Sequence, residues 1–325
     1  MITGTGQVSV ETVPDPVLPG PDGAIVEVTK AAICGSDLHF YDGDLPFFPV
    51  AVGHECIGTV VETGPDVRAF SVGDRVLVAS VAGCGGCDGC ATGDPVTCRS
   101  GPKVFGAGEL GGAQSDLLAV PAADFQLLRI PDGVSDEAAL LLTDNLSTGW
   151  AGAREAAGIV VVLRLGAGGR CANRSAASLG GRVIGFDPVA GRRARVTESV
   201  DDLAQVVELT DGRGADMVID CVANDTSMDA AFGTVRSGGT VSVVGIHAME
   251  PYPLNLLMGV YRSLTLRMKT APVHQTWADL VPLVQSGALP TDGIFTHSFA
   301  LSDAADAYAA VAARSADCIQ VGLTP

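Results

Sequence analysis

Residues 34–39 read Cys-Gly-Ser-Asp-Leu-His and residues 53–55 read Gly-His-Glu, so two short stretches supply a thiol, two imidazoles and two carboxylates. A thiolate together with an imidazole suits Zn²⁺, and a catalytic zinc takes three protein ligands and keeps its fourth position open. A lone cysteine or histidine is more often an ordinary buried or hydrogen-bonded side chain. The pattern favours Cys34 and His54 as two ligands of a catalytic zinc, with a third ligand to come from elsewhere.

A second group of four cysteines occupies one short segment, at gaps of three, three and eight residues: Cys84, Cys87, Cys90 and Cys98. Four thiolates at this spacing can close a tetrahedral cage around one Zn²⁺. Disulfides and a redox pair are the alternatives, but C-x-x-C steps in a reducing compartment favour metal. A cage with no open position predicts a structural zinc ion.

Composition limits the class of protein. A chain of 325 residues has room for two domains. A net charge of −17, with 20 basic against 37 acidic residues, argues against a nucleic-acid-binding surface. No apolar run approaches the length of a membrane span, and we expect no secretory signal at Met1 to Gln7. Nine cysteines without export predict reduced thiols in the cytoplasm.

Two patterns of secondary structure can be read from the sequence, one in each part of the chain. Short β-type segments dominate the first part, where the strand from Ala24 to Val28 leads toward the loop that carries Cys34. From Gly158 onward, strands and helices alternate, and residues 159–163 form a continuous apolar run typical of a buried parallel strand. The sequence predicts an α/β protein with a β-rich domain and a doubly wound parallel sheet.

The alternating part contains a dinucleotide-binding pattern: a strand, a glycine-rich turn, a helix to Leu179, and a second strand that ends at an acidic residue. Backbone N–H groups of such a turn bind pyrophosphate, and the acid accepts hydrogen bonds from the adenosine ribose. A carboxylate there would repel a 2′-phosphate, so NAD is expected rather than NADP. The candidate cofactor contacts are Gly166, Gly168, Gly169, Asp187, Arg192 and Gly245.

Two registers of the G-x-G-x-x-G motif fit this turn. If Gly166 and Gly169 are its last two glycines, Arg164 takes the place of the first, where a tight turn is required. The other register runs from Gly166 through Gly168 to Cys171. The sequence leaves both registers open.

The residues around His54 resemble a family signature. Gly53, His54, Glu55, Gly58 and Gly64 match the G-H-E-x-x-G-x5-G pattern of the zinc-containing alcohol dehydrogenases of the medium-chain dehydrogenase/reductase superfamily. The four-cysteine segment resembles the structural-zinc lobe of the same family. The resemblance spans nearly the whole chain.

The resemblance implies roles for five residues around the catalytic zinc. Asp144 takes the position of the third ligand, although a plain helix N-cap is its alternative. Ser36 and His39 match a proton relay, and Asp37 matches the carboxylate that orients the ligand histidine. Glu55 is either a transient ligand or a structural hydrogen-bond acceptor.

The resemblance also implies a discontinuous catalytic domain and an activity. It predicts a GroES-like domain from residues 1–147 and 272–325 and a Rossmann-like domain from 148–271. The implied reaction is hydride transfer between a small alcohol, or an aldehyde or ketone, and NAD, in a homodimer or homotetramer with two zinc ions per chain. Arg164, Arg170 and a short segment near residues 195–201 depart from the family pattern. These departures motivate the alternative of a non-redox lyase, cyclase or binding module.

Overall fold

The computed structural model describes all 325 residues of the chain. The strands are β1 (Ile2–Gly4), β2 (Gln7–Val8), β3 (Ala24–Ile33), β4 (Glu55–Thr63), β5 (Arg75–Val78), β6 (Val81–Ala82), β7 (Lys103–Val104), β8 (Leu117–Val120), β9 (Leu127–Arg129), β10 (Ile159–Leu163), β11 (Arg182–Phe186), β12 (Ser199–Val200), β13 (Ala215–Asp220), β14 (Val235–Val243), β15 (Thr265–Met268), β16 (Phe295–Ala300) and β17 (Gln320–Thr324).

The helices are α1 (Leu38–Tyr41), α2 (Asp88–Ala91), α3 (Ala123–Gln126), α4 (Asp136–Leu142), α5 (Asn145–Ala153), α6 (Ala167–Ser178), α7 (Ala190–Arg193), α8 (Ala204–Leu209), α9 (Asp225–Thr234), α10 (Leu256–Tyr261), α11 (Val273–Gln285) and α12 (Ala304–Ala312). Every helix falls short of the length and apolarity needed to cross a membrane.

The chain divides into two compact units. The first comprises Met1–Ser147, Ala271–Arg314 and Gln320–Pro325, and the second comprises Thr148–Thr270 and Ser315–Ile319. The chain therefore leaves the first unit at Thr148, returns at Ala271, and enters the second unit again for Ser315–Ile319 before it ends in the first. The sequence did not predict that the short segment Ser315–Ile319 groups with the second unit.

The first unit is built on a seven-stranded sheet whose main path runs β16-β17-β3-β4-β5-β9, with β8 also paired to β3. All its pairs are antiparallel except β16 with β17. The register places Ala32 of β3 opposite Glu55 of β4, and Val321 of β17 opposite Ile33. The end of β3, the start of β4 and the start of β17 therefore meet at one end of the sheet.

The second unit is built on a six-stranded parallel sheet in the order β12-β11-β10-β13-β14-β15. Successive residues of β10 enter separate apolar clusters: Val161 and Leu163 pack in one, Val160 and Val162 in the other. Because both faces of β10 are covered, its sequence reads as a continuous apolar run. The predicted α/β class with a doubly wound sheet and a β-rich unit is confirmed.

Candidate functional site

Cys34 lies just after β3, where a short 3₁₀ turn at Gly35–Asp37 begins. Its backbone N–H donates to the Asp37 carboxylate across 3.0 Å, which closes the turn. The turn directs the thiol toward Asp144, since the Cys34 Sγ and Asp144 Oδ2 atoms are 3.7 Å apart. The rigid end of a paired strand thus holds the first candidate ligand.

His54 and Asp144 complete a three-residue cluster with Cys34. The His54 Nε2 atom lies 3.4 Å from Asp144 Oδ2, and Asp144 Oδ1 accepts from the buried Ser80 hydroxyl at 3.4 Å. With Glu55, these residues offer one thiol, one imidazole and two carboxylates whose ligand atoms all lie within 4.8 Å of one another. Asp144 sits between α4 and α5, and its carboxylate contacts Cys34, His54 and Ser80; its role as a ligand stays a prediction.

Asp37 fixes the orientation of the His54 ring. The Asp37 Oδ1 atom lies 3.3 Å from His54 Nδ1, so the opposite ring nitrogen, Nε2, faces Cys34 and Asp144. Gln114 holds Asp37 in turn by donating to Oδ2 at 3.1 Å, and it accepts from the hydroxyl of the buried Tyr308 at 2.9 Å. Sequence reasoning found Asp37 but missed Gln114 and Tyr308, which belong to no motif.

Gly53 has to be glycine for this arrangement to form. Its φ is +94°, and a Cβ atom there would lie 2.4 Å from Cγ of Gln114. A side chain would therefore be strained and would displace the residue that holds Asp37. The first glycine of the G-H-E motif thus places His54 indirectly.

Glu55 is fully buried behind the cluster and is held by two amides that the sequence analysis missed. Its Oε1 accepts from Asn145 at 2.6 Å, and its Oε2 lies 3.5 Å from the amide nitrogen of Gln320. Asn145 directly follows Asp144, whereas Gln320 begins β17. Both predicted roles of Glu55, a transient ligand and a structural hydrogen-bond acceptor, stay predictions.

Burial and mutual charge perturb the titration of the cluster. Burial, and then the Glu55 charge, raises the pKa of Cys34 to about 12, and burial with the Asp144 charge raises the pKa of Glu55 to about 8. Burial alone would lower the pKa of His54, but Asp37 and Cys34 outweigh it and raise that pKa well above its usual value. Several acidic groups crowded in a buried space are the donor set that a divalent cation stabilises.

The predicted relay residues lie near the cluster, at different depths. The Ser36 hydroxyl is 3.5 Å from His54 Nε2. His39 lies on α1, with its side chain 22% exposed and its Nδ1 atom 3.0 Å from Asp44. The structure places Ser36 at the cluster and His39 at the protein surface, and the relay between them stays a prediction.

The four-cysteine segment forms a second, separate cluster in which the ligand sulfurs also lie within 4.8 Å of one another. Main-chain N–H groups point at two of these sulfurs: those of Cys90 and Arg99 donate to Cys87, and that of Cys84 donates to Cys98. All nine cysteines are free, so the disulfide alternative is not formed.

These N–H groups favour thiolates before any metal arrives. They lower the pKa of Cys87 to about 6 and also lower the pKa of Cys98, while burial raises the pKa of Cys90 to about 12. Gly89 permits the tight fold, because a Cβ atom there would lie 1.9 Å from the Thr97 carbonyl oxygen. The segment is shaped as a closed, sulfur-lined cage.

In the second unit, the glycine-rich turn follows the first of the two registers. Helix α6 begins at Ala167 with Gly166 as its N-cap, and Arg164 has a φ of +71°, the left-handed conformation expected of the first glycine. That conformation costs a non-glycine residue roughly 1–2 kcal/mol. A Cβ atom at Gly169 would lie 1.7 Å from the Arg164 carbonyl oxygen, so the third glycine position allows close packing.

Asp187 lies immediately after β11, as predicted, but its carboxylate is turned into the protein. It is 1% exposed, and its oxygens accept from the backbone N–H groups of Leu165 at 2.7 Å and Val189 at 2.8 Å. The carboxylate therefore fixes the end of β11 against the turn after β10. Its predicted bond to a ribose stays a prediction.

The remaining candidate cofactor contacts border this turn or lie in the same unit. The nearest atom to a Cβ built on Gly166 is Nη1 of Arg192, at 3.9 Å, and Arg192 also donates to the carbonyl oxygens of Ser315 and Cys318. Gly168 lies in the first turn of α6. Gly245, after β14, packs against the Val222 backbone, which a Cβ would approach to 2.3 Å.

Two family models match the chain. The alcohol dehydrogenase GroES-like domain matches residues 20–132, and the zinc-binding dehydrogenase domain matches residues 169–286. A curated relative, named a "probable zinc-binding alcohol dehydrogenase" of Mycobacterium tuberculosis, is 56% identical over 100% of this chain and 88% of its own length.

Solved structures resemble the chain along nearly its whole length. The alcohol dehydrogenase TADH from Thermus sp. ATN1 is 29% identical with a TM-score of 0.90, covering 99% of this chain and 98% of that one. A structure described as a zinc-binding dehydrogenase from Sinorhizobium meliloti 1021 bound to NADP is 27% identical with a TM-score of 0.82, covering 99% and 97%.

Proposed function

The chain belongs to the zinc-dependent alcohol dehydrogenases of the medium-chain dehydrogenase/reductase family, and we propose that Cys34, His54 and Asp144 hold its catalytic zinc. The protein is a zinc-dependent oxidoreductase that acts on small alcohols or carbonyl compounds with a nicotinamide cofactor. The observation that carries the proposal is the convergence of thiol, imidazole and carboxylate atoms within 4.8 Å. These donor types at this spacing fit a zinc ion.

The residues around this ion have distinct tasks. A bound zinc ion supplies Lewis acidity toward the oxygen of the substrate. Asp37 keeps the proton of the His54 ring on Nδ1, which leaves Nε2 to face the ion. Ser36 is placed to take up or return the proton of the substrate hydroxyl, and His39 exchanges that proton with solvent.

Glu55 lies behind the three ligands. Asn145 and Gln320 hold its carboxylate, and its nearness to the other donors allows it to act as an occasional fourth ligand.

A second zinc ion is held by four cysteines: Cys84, Cys87, Cys90 and Cys98. This ion stabilises the segment and takes no part in the reaction. The chemical support is a complete set of four sulfur donors, two of them already accepting main-chain N–H groups. Such a cage requires reduced thiols, which fits the predicted cytoplasmic location.

NAD is the expected cofactor. The first N–H groups of α6, beyond the N-cap Gly166, suit the pyrophosphate, and Arg192 adds a positive charge beside that glycine. Asp187 follows β11 at the place of the acidic residue in the dinucleotide-binding pattern, which favours NAD over NADP.

Exposed apolar side chains of the second unit support a homodimer or homotetramer. On α10, Leu256, Leu257, Val260 and Tyr261 are each at least 70% exposed. An apolar patch of this kind usually marks an interface. Light scattering after gel filtration tests the proposal, and a monomeric mass would reject it.

Metal counting together with cofactor titration tests the assignment. We expect two zinc ions per chain, binding of NAD in calorimetry, and a change in nicotinamide absorbance with at least one member of a panel of small alcohols, aldehydes and ketones. A protein that binds two zinc ions but neither NAD nor NADP would restore the non-redox alternative, which the comparisons do not favour.

A further inference from the structure

A buried tyrosine lies at the far end of the contacts that hold the His54 ring. Tyr308 lies on α12, is fully buried, and donates its hydroxyl proton to Oε1 of Gln114 at 2.9 Å. A buried tyrosine hydroxyl usually finds a hydrogen-bond partner. This partner is an amide that in turn contacts Asp37, so the hydroxyl is connected to the side chain that orients His54.

The amide of Gln114 has three hydrogen-bond partners that agree on one orientation. Its nitrogen donates to the main-chain oxygen of Ala32 and to Oδ2 of Asp37, each at 3.1 Å. Both partners are acceptors, and they use the two protons of the amide nitrogen. The amide oxygen is left for a donor, which is the Tyr308 hydroxyl. A reversed amide would direct its oxygen at a carboxylate and a carbonyl oxygen.

Asp37 carries this orientation on to the candidate zinc ligand. Its Oδ2 atom accepts from the Gln114 amide and from the main-chain N–H of Cys34, the latter at 3.0 Å. Its Oδ1 atom lies 3.3 Å from Nδ1 of His54. Because two donors fix Oδ2, the other oxygen is held toward the ring. A rotation of the Gln114 amide would therefore turn the carboxylate away from His54.

The surroundings hold both partners of the Tyr308–Gln114 hydrogen bond in place. The main-chain N–H of Gln114 donates to the carbonyl oxygen of Val52 at 3.2 Å, next to the Gly-His-Glu motif. The ring of Tyr308 is stacked with that of Tyr41, with the two centroids 5.6 Å apart. Removal of the hydroxyl alone would therefore leave the ring packing and the Gln114 main chain as they are.

We propose that Gln114 and Tyr308 are positioning residues for the catalytic zinc site. The Tyr308 hydroxyl fixes the Gln114 amide, and the amide fixes the carboxylate that orients His54. The inference rests on the proposed function, since it requires His54 to be a zinc ligand. Partners outside the ligand set matter because they fix the ring orientation and the tautomer of a ligand histidine. Here that support extends two residues beyond Asp37, as far as α12.

Chelator competition for zinc with the full chain tests the proposal without relying on turnover. Tyr308→Phe keeps the ring and removes the hydroxyl, so zinc affinity at the catalytic site should fall about threefold to tenfold, the effect of one neutral hydrogen bond. Gln114→Met removes all three amide contacts and should cost about tenfold to a hundredfold, the range for an outer partner of a metal ligand. The zinc ion that Cys34→Ala loses identifies the catalytic site in these titrations.

Two controls accompany these variants. Zinc affinity at the four-cysteine cluster should stay unchanged in both, because that cluster shares no ligand with the catalytic site. Tyr252→Phe is the matched substitution: the Tyr252 hydroxyl donates to Asp229 at 2.7 Å in the second unit. It should leave both zinc affinities unchanged. Equal losses in Tyr252→Phe and Tyr308→Phe would overturn the proposal.

A double variant separates positioning from a contribution to stability alone. If the hydroxyl acts through the amide, Tyr308→Phe should cause no further loss of zinc affinity in a chain that already carries Gln114→Met. Additive losses would overturn the proposal. A lower Tm with unchanged zinc affinity in Tyr308→Phe would also overturn it, because the hydroxyl would then stabilise the fold only.

Asp37→Asn distinguishes failure of this proposal from failure of the proposed function. Loss of zinc affinity in Asp37→Asn, with none in Tyr308→Phe and Gln114→Met, overturns the positioning role and leaves the function intact. An unsubstituted chain that binds zinc only at its four cysteines overturns both.

Discussion

The four cysteines of one cluster come from a single segment, in which Cys84 and Cys98 are 14 positions apart, whereas Cys34 and Asp144 of the other cluster are 110 positions apart. In the first cluster, main-chain N–H groups favour the thiolates of two sulfurs, and the pKa of Cys87 falls to about 6, although burial raises the pKa of Cys90 to about 12. In the second, burial raises the pKa of Cys34 to about 12. The four-cysteine segment can form its metal site within one short stretch of chain. Cys34, His54 and Asp144, in contrast, come together only when the first unit folds.

Removal of Cys34, a ligand of the cluster whose members lie far apart in the sequence, should have the largest effect on turnover. Cys34→Ala should lose one zinc ion per chain and more than about a hundredfold in turnover, beyond the range seen for loss of a supporting residue. Zinc content and nicotinamide absorbance measure the two effects. Cys56→Ala is the control, since Cys56 is buried in β4 outside both clusters. Full zinc content and full turnover in Cys34→Ala would show that the cluster is not the catalytic centre.

Loss of Asp37, the residue that orients His54, should have the second largest effect on zinc affinity or turnover. Asp37→Asn keeps the shape of the side chain but removes the charge beside His54 Nδ1. We expect a 10–100-fold fall in zinc affinity or turnover, the usual range for such partners. Chelator competition and steady-state kinetics measure the change, with the exposed Asp66→Asn as the matched control. An equal effect in both variants would contradict the role of Asp37.

Loss of a ligand from the four-cysteine cluster should lower the stability of the protein and leave its turnover nearly unchanged. Cys90→Ser should lose one zinc ion and lower Tm by at least about 5 °C, since 1 kcal/mol corresponds to roughly 2–4 °C in a domain of this size. Turnover per folded molecule should stay within about a factor of three, because the clusters share no ligand. Calorimetry, zinc content and kinetics are the measurements. A rate loss as large as that of Cys34→Ala would remove the distinction between the two centres.

The smallest effect is expected from replacing Arg99, whose side chain is exposed beside the four-cysteine cluster. The exposed side chain of Arg99 pairs with Asp88, but only its main-chain N–H donates to Cys87. Arg99→Ala keeps that N–H, and an exposed ion pair contributes at most about 1 kcal/mol. Zinc content should be unchanged and Tm should move by less than about 4 °C. A loss of zinc in this variant would mean that the side chain, and not the backbone, supports the cage.

The same comparison explains what could be predicted from the sequence. The four-cysteine cluster was visible because its spacing is local, and the parallel sheet was visible because β10 is a continuous apolar run. Asp144 came only from the family resemblance, since no spacing rule connects it with Cys34. Asn145 and Gln320 were missed because a single amide has no pattern until the fold places it beside Glu55.

The glycine-rich turn shows a different limit. Both registers supplied two glycines, so composition could not choose between them. The choice depends on backbone conformation: Arg164 adopts the left-handed region, and Gly169 leaves room for its carbonyl. Arg170 was noticed as a departure, but its burial depends on how the chain folds around α6.

The pairing of β17 with β3 has a consequence for how the enzyme is made. Strand β3 delivers Cys34, and Gln320 of β17 holds Glu55, yet almost the whole chain separates them. During translation, the ribosome must therefore release nearly all of the polypeptide before this corner of the sheet can close. If the proposed assignments hold, a nascent chain can bind zinc at its four-cysteine segment early, but the contact between Gln320 and Glu55 forms only when synthesis has passed β17.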